Sequence, residues 1–256
     1  MHRIFTAKVT DNLPLNRKNY LLTIEPLGPT IEPAPGQFYM VETGNSLDPL
    51  LKRPFSYFRK TPATLQFLYT VRGKGTAKMK ALKPGSEIQV IGPLGTGYPN
   101  PKRGFTPLLI AGGVGIASLF PLAERLTNKI CLIYGARCKS DLLLLKELER
   151  LESDLMTCTD DCSFGGDGKA TDILTSFLAS PSSKGASYMI YACGPKPMLA
   201  AVAKIALENQ LKGFVSLEEN MACGFGACLG CSVQTVAGYK RVCKEGPVFS
   251  IDEIVW

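Results

Sequence analysis

Four of the nine cysteines crowd into residues 223–243, and their spacing constrains the fold of this chain more than any other feature. The spacing is Cys-x4-Cys-x2-Cys-x11-Cys, the plant-type pattern in which four thiolates hold a [2Fe–2S] cluster. Glycine recurs between the first three cysteines, where it lets backbone N–H groups approach sulfur closely. A structural zinc site and free cysteines are the alternatives, although zinc more often uses two separate short pairs. The predicted ligands are Cys223, Cys228, Cys231 and Cys243.

The overall composition narrows the function classes. Hydrophobic residues make up 45% of the chain and charged residues 20%, which is enough apolar material for folded cores. The cysteine count is odd and no apolar leader is present, so we expect a reducing, cytoplasmic setting without a disulfide framework. The net charge of +7 is scattered along the chain, which disfavours nucleic-acid binding. The single histidine, His2, excludes multi-histidine metal sites and leaves a serine hydrolase without an internal base.

Hydrophobic patterning divides the chain into three regions of an α+β multidomain fold. Residues 1–101 contain short apolar runs separated by Pro and Gly, which predicts an antiparallel β-barrel, with a sandwich as the alternative. Residues 102–215 alternate apolar runs with helical patterns, among them a capped amphipathic segment at 140–153, which predicts a parallel sheet covered by helices. Residues 216–256 form a small cysteine module. The uncharged stretch 105–123 contains a glycine turn and a proline, so we expect a strand, a turn and a helix rather than a membrane span.

Small and polar residues follow the predicted parallel strands of the second region. Gly112, Gly113 and Gly115 join a buried strand to a helix, where backbone N–H groups can receive a phosphate. Their spacing is not Gly-x-Gly-x-x-Gly, and a purely structural turn is the alternative. Ligands of open α/β sheets bind at the carboxyl ends of the strands, so we expect a nucleotide across these tips. The other predicted tips are residues 135–137, 159–161 and 193–195.

Charged residues at those tips bear on which nucleotide binds. Asp160 and Asp161 follow the third predicted strand, and acidic groups favour the free ribose diol of NAD. Arg137 points the other way, because a cation could hold the 2′-phosphate of NADP. The acidic pair makes NAD the favoured nucleotide.

Two short motifs in the barrel region indicate an anionic, aromatic ligand. Segment 53–56, Arg-Pro-Phe-Ser, offers a cation for a pyrophosphate, a ring for stacking and a hydroxyl for hydrogen bonding. Strand alternation places Arg53 and Phe55 on one face and Ser56 on the other. Segment 71–76, Val-Arg-Gly-Lys-Gly-Thr, is a glycine-rich basic turn before one short predicted helix and is a second place for a pyrophosphate. An ordinary strand and a plain turn are the alternatives for each motif alone.

The motifs together resemble a known superfamily. A barrel with Arg-Pro-Phe-Ser and Gly-Lys-Gly-Thr, followed by an α/β region with Gly-Gly-Val-Gly and Cys-Gly-Pro, is similar to the ferredoxin–NADP⁺ reductases. With the terminal cysteine motif, essentially the whole chain resembles the electron-transfer subunits of class 1B dihydroorotate dehydrogenases. The superfamily commonly has the motif Arg-x-Tyr-Ser/Thr. This chain has Phe55 at the tyrosine position, which keeps the ring and loses a phenolic hydrogen bond.

The resemblance implies FAD in the barrel, NAD as a substrate in the α/β region and a [2Fe–2S] cluster in the third region. The implied cluster ligands are the four cysteines named above. The implied FAD-binding residues are Arg53, Pro54, Phe55, Ser56, Thr70, Val71, Arg72, Gly75 and Thr76. The implied nicotinamide-nucleotide residues are Gly112, Gly113, Gly115, Cys193, Gly194 and Pro195.

The resemblance also implies an activity in pyrimidine biosynthesis. A separate FMN-containing catalytic subunit would oxidise dihydroorotate, and this chain would pass the electrons through the cluster and FAD to NAD⁺. NAD⁺ accepts a hydride whereas the cluster carries one electron, so a flavin has to stand between them. We expect an assembly of two copies of each subunit, with the cysteine loop 223–231 at or near the subunit interface.

Several alternatives to this interpretation stay open. No side chain of this chain is expected to act as a general base, and Cys193 either lies near the nicotinamide or is a small buried residue. A related flavin/[2Fe–2S] NAD(P)H–ferredoxin oxidoreductase or a sulfhydrogenase-type subunit would share the architecture. A non-catalytic zinc adaptor would bind neither flavin nor iron.

Overall fold

The protein is described by a computed structural model that covers residues 2–44, 48–127, 129–151, 153–183 and 185–256. Its first region consists of β1 (Arg3–Pro14), β2 (Asn19–Pro26), β3 (Phe38–Val41), β4 (Arg53–Lys60), β5 (Leu65–Thr70), α1 (Lys74–Lys80) and β6 (Glu87–Leu94). The strands close into an antiparallel barrel in the order β1–β2–β5–β4–β3–β6, which confirms the predicted barrel. Every second side chain of β1 points inwards, beginning with Phe5 and Ala7, because successive strand residues face opposite sides.

The second region is a mostly parallel sheet covered by helices. It consists of β7 (Phe105–Gly112), α2 (Ile116–Arg125), β8 (Ile130–Ala136), α3 (Leu145–Leu148), β9 (Ser153–Thr159), β10 (Gly166–Asp167), α4 (Ala170–Ala179), β11 (Ser187–Cys193), α5 (Lys196–Glu208) and β12 (Lys212–Ser216). The strand order is β10–β9–β8–β7–β11–β12, and all of these neighbours pair in parallel. The central strands are buried along most of their length, as expected for strands covered on both faces.

The third region contributes a hairpin and one edge of the same sheet. The hairpin is β13 (Ser232–Thr235) with β14 (Gly238–Arg241), and β15 (Val248–Ser250) pairs antiparallel with β12. The cysteine module is therefore attached to the parallel sheet through backbone hydrogen bonds. The predicted region boundaries after residues 101 and 215 remain predictions.

Helix α2 joins the barrel to the sheet. Phe58 of β4 stacks on Phe120 of α2 with ring centroids 4.2 Å apart. The Arg59 guanidinium lies over the Phe120 ring at 4.8 Å and pairs with Glu124 and Glu147. This stacked and charged contact holds the barrel against α2.

The predicted helix at 140–153 is wrong. The chain forms a short 3₁₀ turn at Lys139–Asp141 and then only the four-residue α3, while Glu152 lies outside the described residues. Leu144 takes a left-handed conformation with φ 56°, which interrupts any continuous helix. The reason is that Leu142 and Leu143 are both buried, and the Leu143 N–H donates to the Tyr134 hydroxyl at 2.8 Å instead of to a helical carbonyl. A run of four leucines fits the apolar pattern of a helix, but leucines buried in an irregular segment fit the same pattern.

The uncharged stretch 105–123 is a strand, a 3₁₀ turn and a helix start, as predicted. Within the described ranges, no helix has both the length and the apolar character needed to cross a bilayer.

Candidate functional site

The two predicted barrel motifs lie against each other. A Cβ built at Gly75 would lie 3.0 Å from the Arg53 Nε atom, so the guanidinium packs directly on the glycine. The Arg53 Nη1 atom donates to the Leu51 carbonyl at 2.6 Å, which holds the side chain over α1. The Thr76 hydroxyl accepts hydrogen bonds from the backbone N–H groups of Arg72 and Gly73 at 2.9 and 3.2 Å. A cation and the start of a helix thus share one small surface, which suits a pyrophosphate.

A cavity of about 470 Å³ opens between the barrel and the sheet. Arg53, Phe55 and Ser56 all line it, although strand alternation places Ser56 on the opposite face from Arg53 and Phe55. The physical reason is the pairing of β4: residues 53–56 pair only with β3, and the pairing with β5 begins at Tyr57. The second edge of this segment is open, and side chains of both faces reach the cavity from it. Pro54, Thr70, Arg72, Gly75 and Thr76 line it as well.

The tips of the parallel strands close this smaller cavity from the other side. Gly115 and Cys193 line it, and a Cβ at Gly115 would lie 2.4 Å from the Cys193 carbonyl oxygen. The Cys193 thiol is buried beside a chain of hydroxyls in which Tyr98 contacts Ser118 at 3.3 Å and Ser118 donates to Ser216 at 3.4 Å. Burial raises the pKa of Cys193 to about 12. The thiol is therefore protonated at neutral pH and is a poor nucleophile.

A second cavity of about 1130 Å³ runs along the strand tips. Asp160 and Arg137 line it, whereas Asp161 does not. The Asp161 carboxylate instead accepts the Ser163 N–H at 3.0 Å, and hydrogen bonds from Ser163 lower its pKa. Of the two acidic residues predicted to read a ribose, only one is in position to do so. The predicted residues that line this larger cavity are Thr70, Val71, Arg72, Gly112, Gly113, Gly194 and Pro195.

The two cavities adjoin. Thr70, Arg72 and Val114 line both, and so do Leu217, Glu218 and Glu219. Val71, predicted beside the flavin, lines only the larger cavity, while Gly115 and Cys193, predicted beside the nucleotide, line the smaller one. Two ligands seated in these cavities would meet across a shared wall, which is the arrangement that a hydride transfer needs.

Backbone N–H groups of the cysteine loop donate hydrogen bonds to the Cys223 sulfur. Burial raises the pKa of Cys223, but hydrogen bonds from the backbone N–H groups of Cys228 and Phe225 outweigh it and lower the pKa to about 6. Burial raises the pKa of Cys243 to about 12, and the neighbouring Cys231 thiol adds to that rise. A bound metal centre would favour the thiolate form of these cysteines, because metal ligands are deprotonated.

The cysteines contact each other in two pairs. Cys223 is hydrogen-bonded to the Cys228 side chain, and Cys243 to the Cys231 side chain, while the Cys243 N–H donates to the Cys231 sulfur at 3.4 Å. Among the residues that the structure describes, no three His, Cys, Asp or Glu side chains gather around one point for a single ion. The four cysteines supply thiolate ligands of the kind that iron–sulfur clusters use.

Comparisons with known proteins identify the family. Residues 218–255 match the iron–sulfur cluster binding domain of dihydroorotate dehydrogenase B, and residues 109–204 match the oxidoreductase NAD-binding domain. The chain is 34% identical to the dihydroorotate dehydrogenase B (NAD(+)) electron transfer subunit of Desulforamulus reducens, over 100% of both chains. It is 35% identical to that of Caldanaerobacter subterraneus subsp. tengcongensis, over 98% of both. This chain belongs to the family of dihydroorotate dehydrogenase B electron transfer subunits.

Solved structures share the fold of this chain. The structure of an NADH-dependent reduced ferredoxin-NADP oxidoreductase, studied for flavin-based electron bifurcation, superposes with a TM-score of 0.84 at 26% identity, over 98% of this chain and 90% of that chain. The ferredoxin reductase in carbazole 1,9a-dioxygenase shares the fold, with a TM-score of 0.70 at 20% identity over 82% and 67%. The predicted family, fold class and oxidoreductase class are thus confirmed. The two matched domains contain the strand tips and all four cysteines.

Sequence reasoning missed several residues of the dihydroorotate dehydrogenase B site. Tyr69, Asn220 and Met221 line the smaller cavity, and Lys18 lines the larger one. Tyr69 directly precedes the predicted residue Thr70, and this position in the sequence is the signal that could have found it. In the structure its ring lies 5.9 Å from the Phe55 ring. Asn220 and Met221 directly precede the cysteine motif, and that adjacency was their signal, whereas no spacing pattern points to Lys18.

Proposed function

We propose that this chain carries electrons from the FMN of a separate dihydroorotate dehydrogenase catalytic subunit, through a [2Fe–2S] cluster and FAD, to NAD⁺, in pyrimidine biosynthesis. The observation that carries the proposal is the adjacency of three sites. The two cavities share a wall, and the cysteine loop packs on the barrel beside them, because a Cβ at Gly224 would lie 2.4 Å from Met40. Met40 is a neighbour in β3 of Phe38, which lines the smaller cavity. A short path between the centres is what single-electron transfer requires.

FAD would occupy the smaller cavity. When bound, a flavin exchanges electrons singly or as a pair, which supplies the link between a cluster and a hydride acceptor. The Arg53 guanidinium, which lies against Gly75 at the start of α1, would hold the pyrophosphate. Phe55 would pack on a ring, and the Ser56 hydroxyl would hydrogen-bond to a ring heteroatom. The buried Cys193 thiol, protonated at neutral pH, would fill the floor of the cavity and exclude water.

NAD would occupy the larger cavity as the substrate. The open turn at Gly112 and Gly113 would receive its phosphates, and Asp160 would accept hydrogen bonds from the free ribose diol. Gly194 crosses Gly112 so closely that a Cβ at Gly194 would lie 3.0 Å from the Gly112 Cα. Glycine at both positions therefore lets the two turns pack closely against each other.

The four cysteines would hold the cluster at the surface that faces the catalytic subunit. Phe225 and Leu229, which belong to the cysteine loop, are 46% and 60% exposed, and exposed apolar residues on a rigid loop suit a protein interface. We infer that the partner subunit seats on this loop, that two copies of each subunit assemble, and that the complex works in the cytoplasm.

Co-purification with the catalytic subunit tests the proposal. The chain is produced without oxygen together with its FMN-containing partner, and iron, sulfide, FAD and FMN are counted per chain. We expect two irons, two sulfides and one FAD, the content of one [2Fe–2S] centre and one flavin, and NAD⁺-dependent oxidation of dihydroorotate only when both subunits are present. Protein without iron or FAD, or a complex that reduces NAD⁺ equally well without this chain, would rule the proposal out.

A ferredoxin–NAD(P) oxidoreductase is the second candidate. The full-length similarity to the NADH-dependent reduced ferredoxin-NADP oxidoreductase supports it, because that protein has the same arrangement of domains over 98% of this chain. Reduction of ferredoxin by NADH or NADPH in the same preparation, at a rate above that with dihydroorotate, would favour this candidate over the first.

A further inference from the structure

A half-buried ion pair brackets Cys243. The Arg241 Nε atom donates to Glu245 Oε2 at 3.0 Å, and Arg241 Nη2 pairs with Glu245 Oε1. The Arg241 backbone N–H donates to the same carboxylate at 2.8 Å. The two side chains are only 26% and 30% exposed. A two-point arginine–carboxylate contact of this kind fixes geometry as well as charge, so it closes the five-residue turn 241–245 around the cysteine.

The same arginine reaches the cysteine loop. Arg241 Nη1 donates to the Gly226 carbonyl at 2.9 Å, at the centre of the Cys223–Cys228 segment. Gly226 has φ +93°, and a Cβ there would lie 2.9 Å from the Lys244 side chain, so the loop is pressed against the turn 241–245. The Val242 N–H also donates to the Cys231 carbonyl at 3.0 Å. One guanidinium thus connects the turn that carries Cys243 to the loop that carries the other three cysteines.

We propose that Arg241 and Glu245 form a latch that positions Cys243 against the cysteine loop and, through the balance of their two charges, tunes the reduction potential of the iron–sulfur centre. The inference rests on the proposed function, because it concerns the centre that the cysteines would hold. Both are positioning residues, since neither is a ligand.

The charges of the pair act on the centre in opposite directions. Reduction adds one electron, and therefore negative charge, to the centre, so a nearby cation favours the reduced form and a nearby carboxylate disfavours it. In the native chain the two charges largely cancel. Partial burial limits screening by water and salt, so an unbalanced charge at this place is felt by the sulfurs.

Four variants separate a charge effect from a packing effect. Glu245→Gln leaves the arginine unbalanced and should shift the potential to a more positive value. Arg241→Gln leaves the carboxylate unbalanced and should shift it to a more negative value. Arg241→Lys keeps the cation but cannot make both contacts, so the potential should stay close to native while iron is lost faster. The double variant Arg241→Gln/Glu245→Gln should restore the potential and not the retention of iron.

The controls are Lys204→Gln and Glu208→Gln. These residues also pair at i and i+4, but their side chains are 77% and 60% exposed on α5 and touch no cysteine. They change the net charge of the chain by the same amounts, so they correct for long-range effects. Both should keep the native potential and the native rate of iron loss.

The measurements are made on the full chain purified without oxygen together with its catalytic subunit. The potential is read by a spectroelectrochemical titration at one fixed pH, and the retention of iron by its rate of loss to a chelator. The proposal is overturned if the reduction potential shifts in the same direction in Glu245→Gln and Arg241→Gln. It is also overturned if both variants keep the native potential and the native rate of iron loss. A native chain that binds no iron overturns the proposed function instead, so the two failures are distinguishable.

Discussion

The cysteine loop and the pair of cavities are built in opposite ways. The four cysteines of the cluster site all lie within residues 223–243, and backbone N–H groups of the cysteine loop donate hydrogen bonds to the Cys223 sulfur. The cavities combine barrel strands, four strand tips and the C-terminal tail, which come together only when the barrel docks on the sheet. Metal binding by the four cysteines should therefore depend strongly on each ligand and less on residues outside this segment. Ligand binding in the cavities depends on many partial contacts, so the loss of any one side chain should cost less.

Removal of one cysteine is the largest effect that this contrast predicts. Cys228→Ser should reduce the iron content to near zero, because one cluster ligand is lost. The FAD content should stay native, since no cysteine of the loop lines a cavity. Iron and FAD are measured per chain after preparation without oxygen. Cys162→Ser, at an exposed turn outside the loop, is the control and should keep both. Loss of FAD together with iron in Cys228→Ser would break the contrast.

Loss of the barrel arginine should have a smaller, graded effect. Arg53→Gln removes a charged hydrogen-bond donor worth about 1.5–3 kcal/mol, so the FAD dissociation constant should rise about 10- to 100-fold. The iron content should not change. Fluorescence titration of the flavin-free chain measures the constant. Arg150→Gln, at a side chain that is 73% exposed and follows α3, should bind FAD like the native chain. A native dissociation constant in Arg53→Gln would remove the arginine from the flavin site.

The two neighbouring aspartates sharpen the contrast inside the larger cavity. Asp160→Asn should raise the dissociation constant of NAD about tenfold and narrow the preference over NADP, because a charged acceptor to the ribose is worth about 1.5 kcal/mol. Asp161→Asn is the matched control, since Asp161 is bonded to Ser163 and does not line the cavity. Equal effects of both variants on NAD binding, measured by calorimetry, would contradict this division of roles.

The smallest expected effect is the pH dependence of the free energy of unfolding that arises from Cys193, which lines the smaller cavity. Burial raises the pKa of Cys193 from 9.0 to about 12, so the unfolded state releases its proton first as the pH rises. The stabilisation that the protonated Cys193 thiol contributes is fully present below pH 9 and is lost as the pH rises from 9 to 12. Between pH 7.5 and 10 this thiol should cost about 1 kcal/mol of the free energy of unfolding.

Cys193→Ala tests this pH effect. The variant should lose less stability than the native chain over that interval, whatever its stability at pH 7.5, in urea unfolding at both pH values. Cys162→Ala should lose as much as the native chain. An identical pH dependence of Cys193→Ala and the native chain would show that the thiol is not held protonated by the fold.

Local patterns allowed much of this molecule to be predicted. The cysteine spacing, the Pro- and Gly-separated strands and the later alternation of strands with helices each reflect forces between residues close in sequence. The strand tips were predicted to meet because parallel strands place their carboxyl ends on one edge, and Gly112, Asp160 and Gly194 do line one cavity. The leucines of residues 142–145 misled the same reasoning, because burial against Tyr134 satisfied them without a helix.

Covalent order along the chain therefore accounts for the cysteine loop, the element types and the family, because ligand spacing and hydrophobic period are local properties. Tertiary contacts decided the rest. Docking of the barrel on the sheet placed Cys193 and Gly115 at the smaller cavity. Strand pairing within the barrel left the edge beside Ser56 open, and the hydrogen bond from Ser163 holds Asp161, which does not line the larger cavity as Asp160 does. The contact of Arg241 with Gly226 forms only in the folded cysteine region, and no period or spacing in the sequence predicts it.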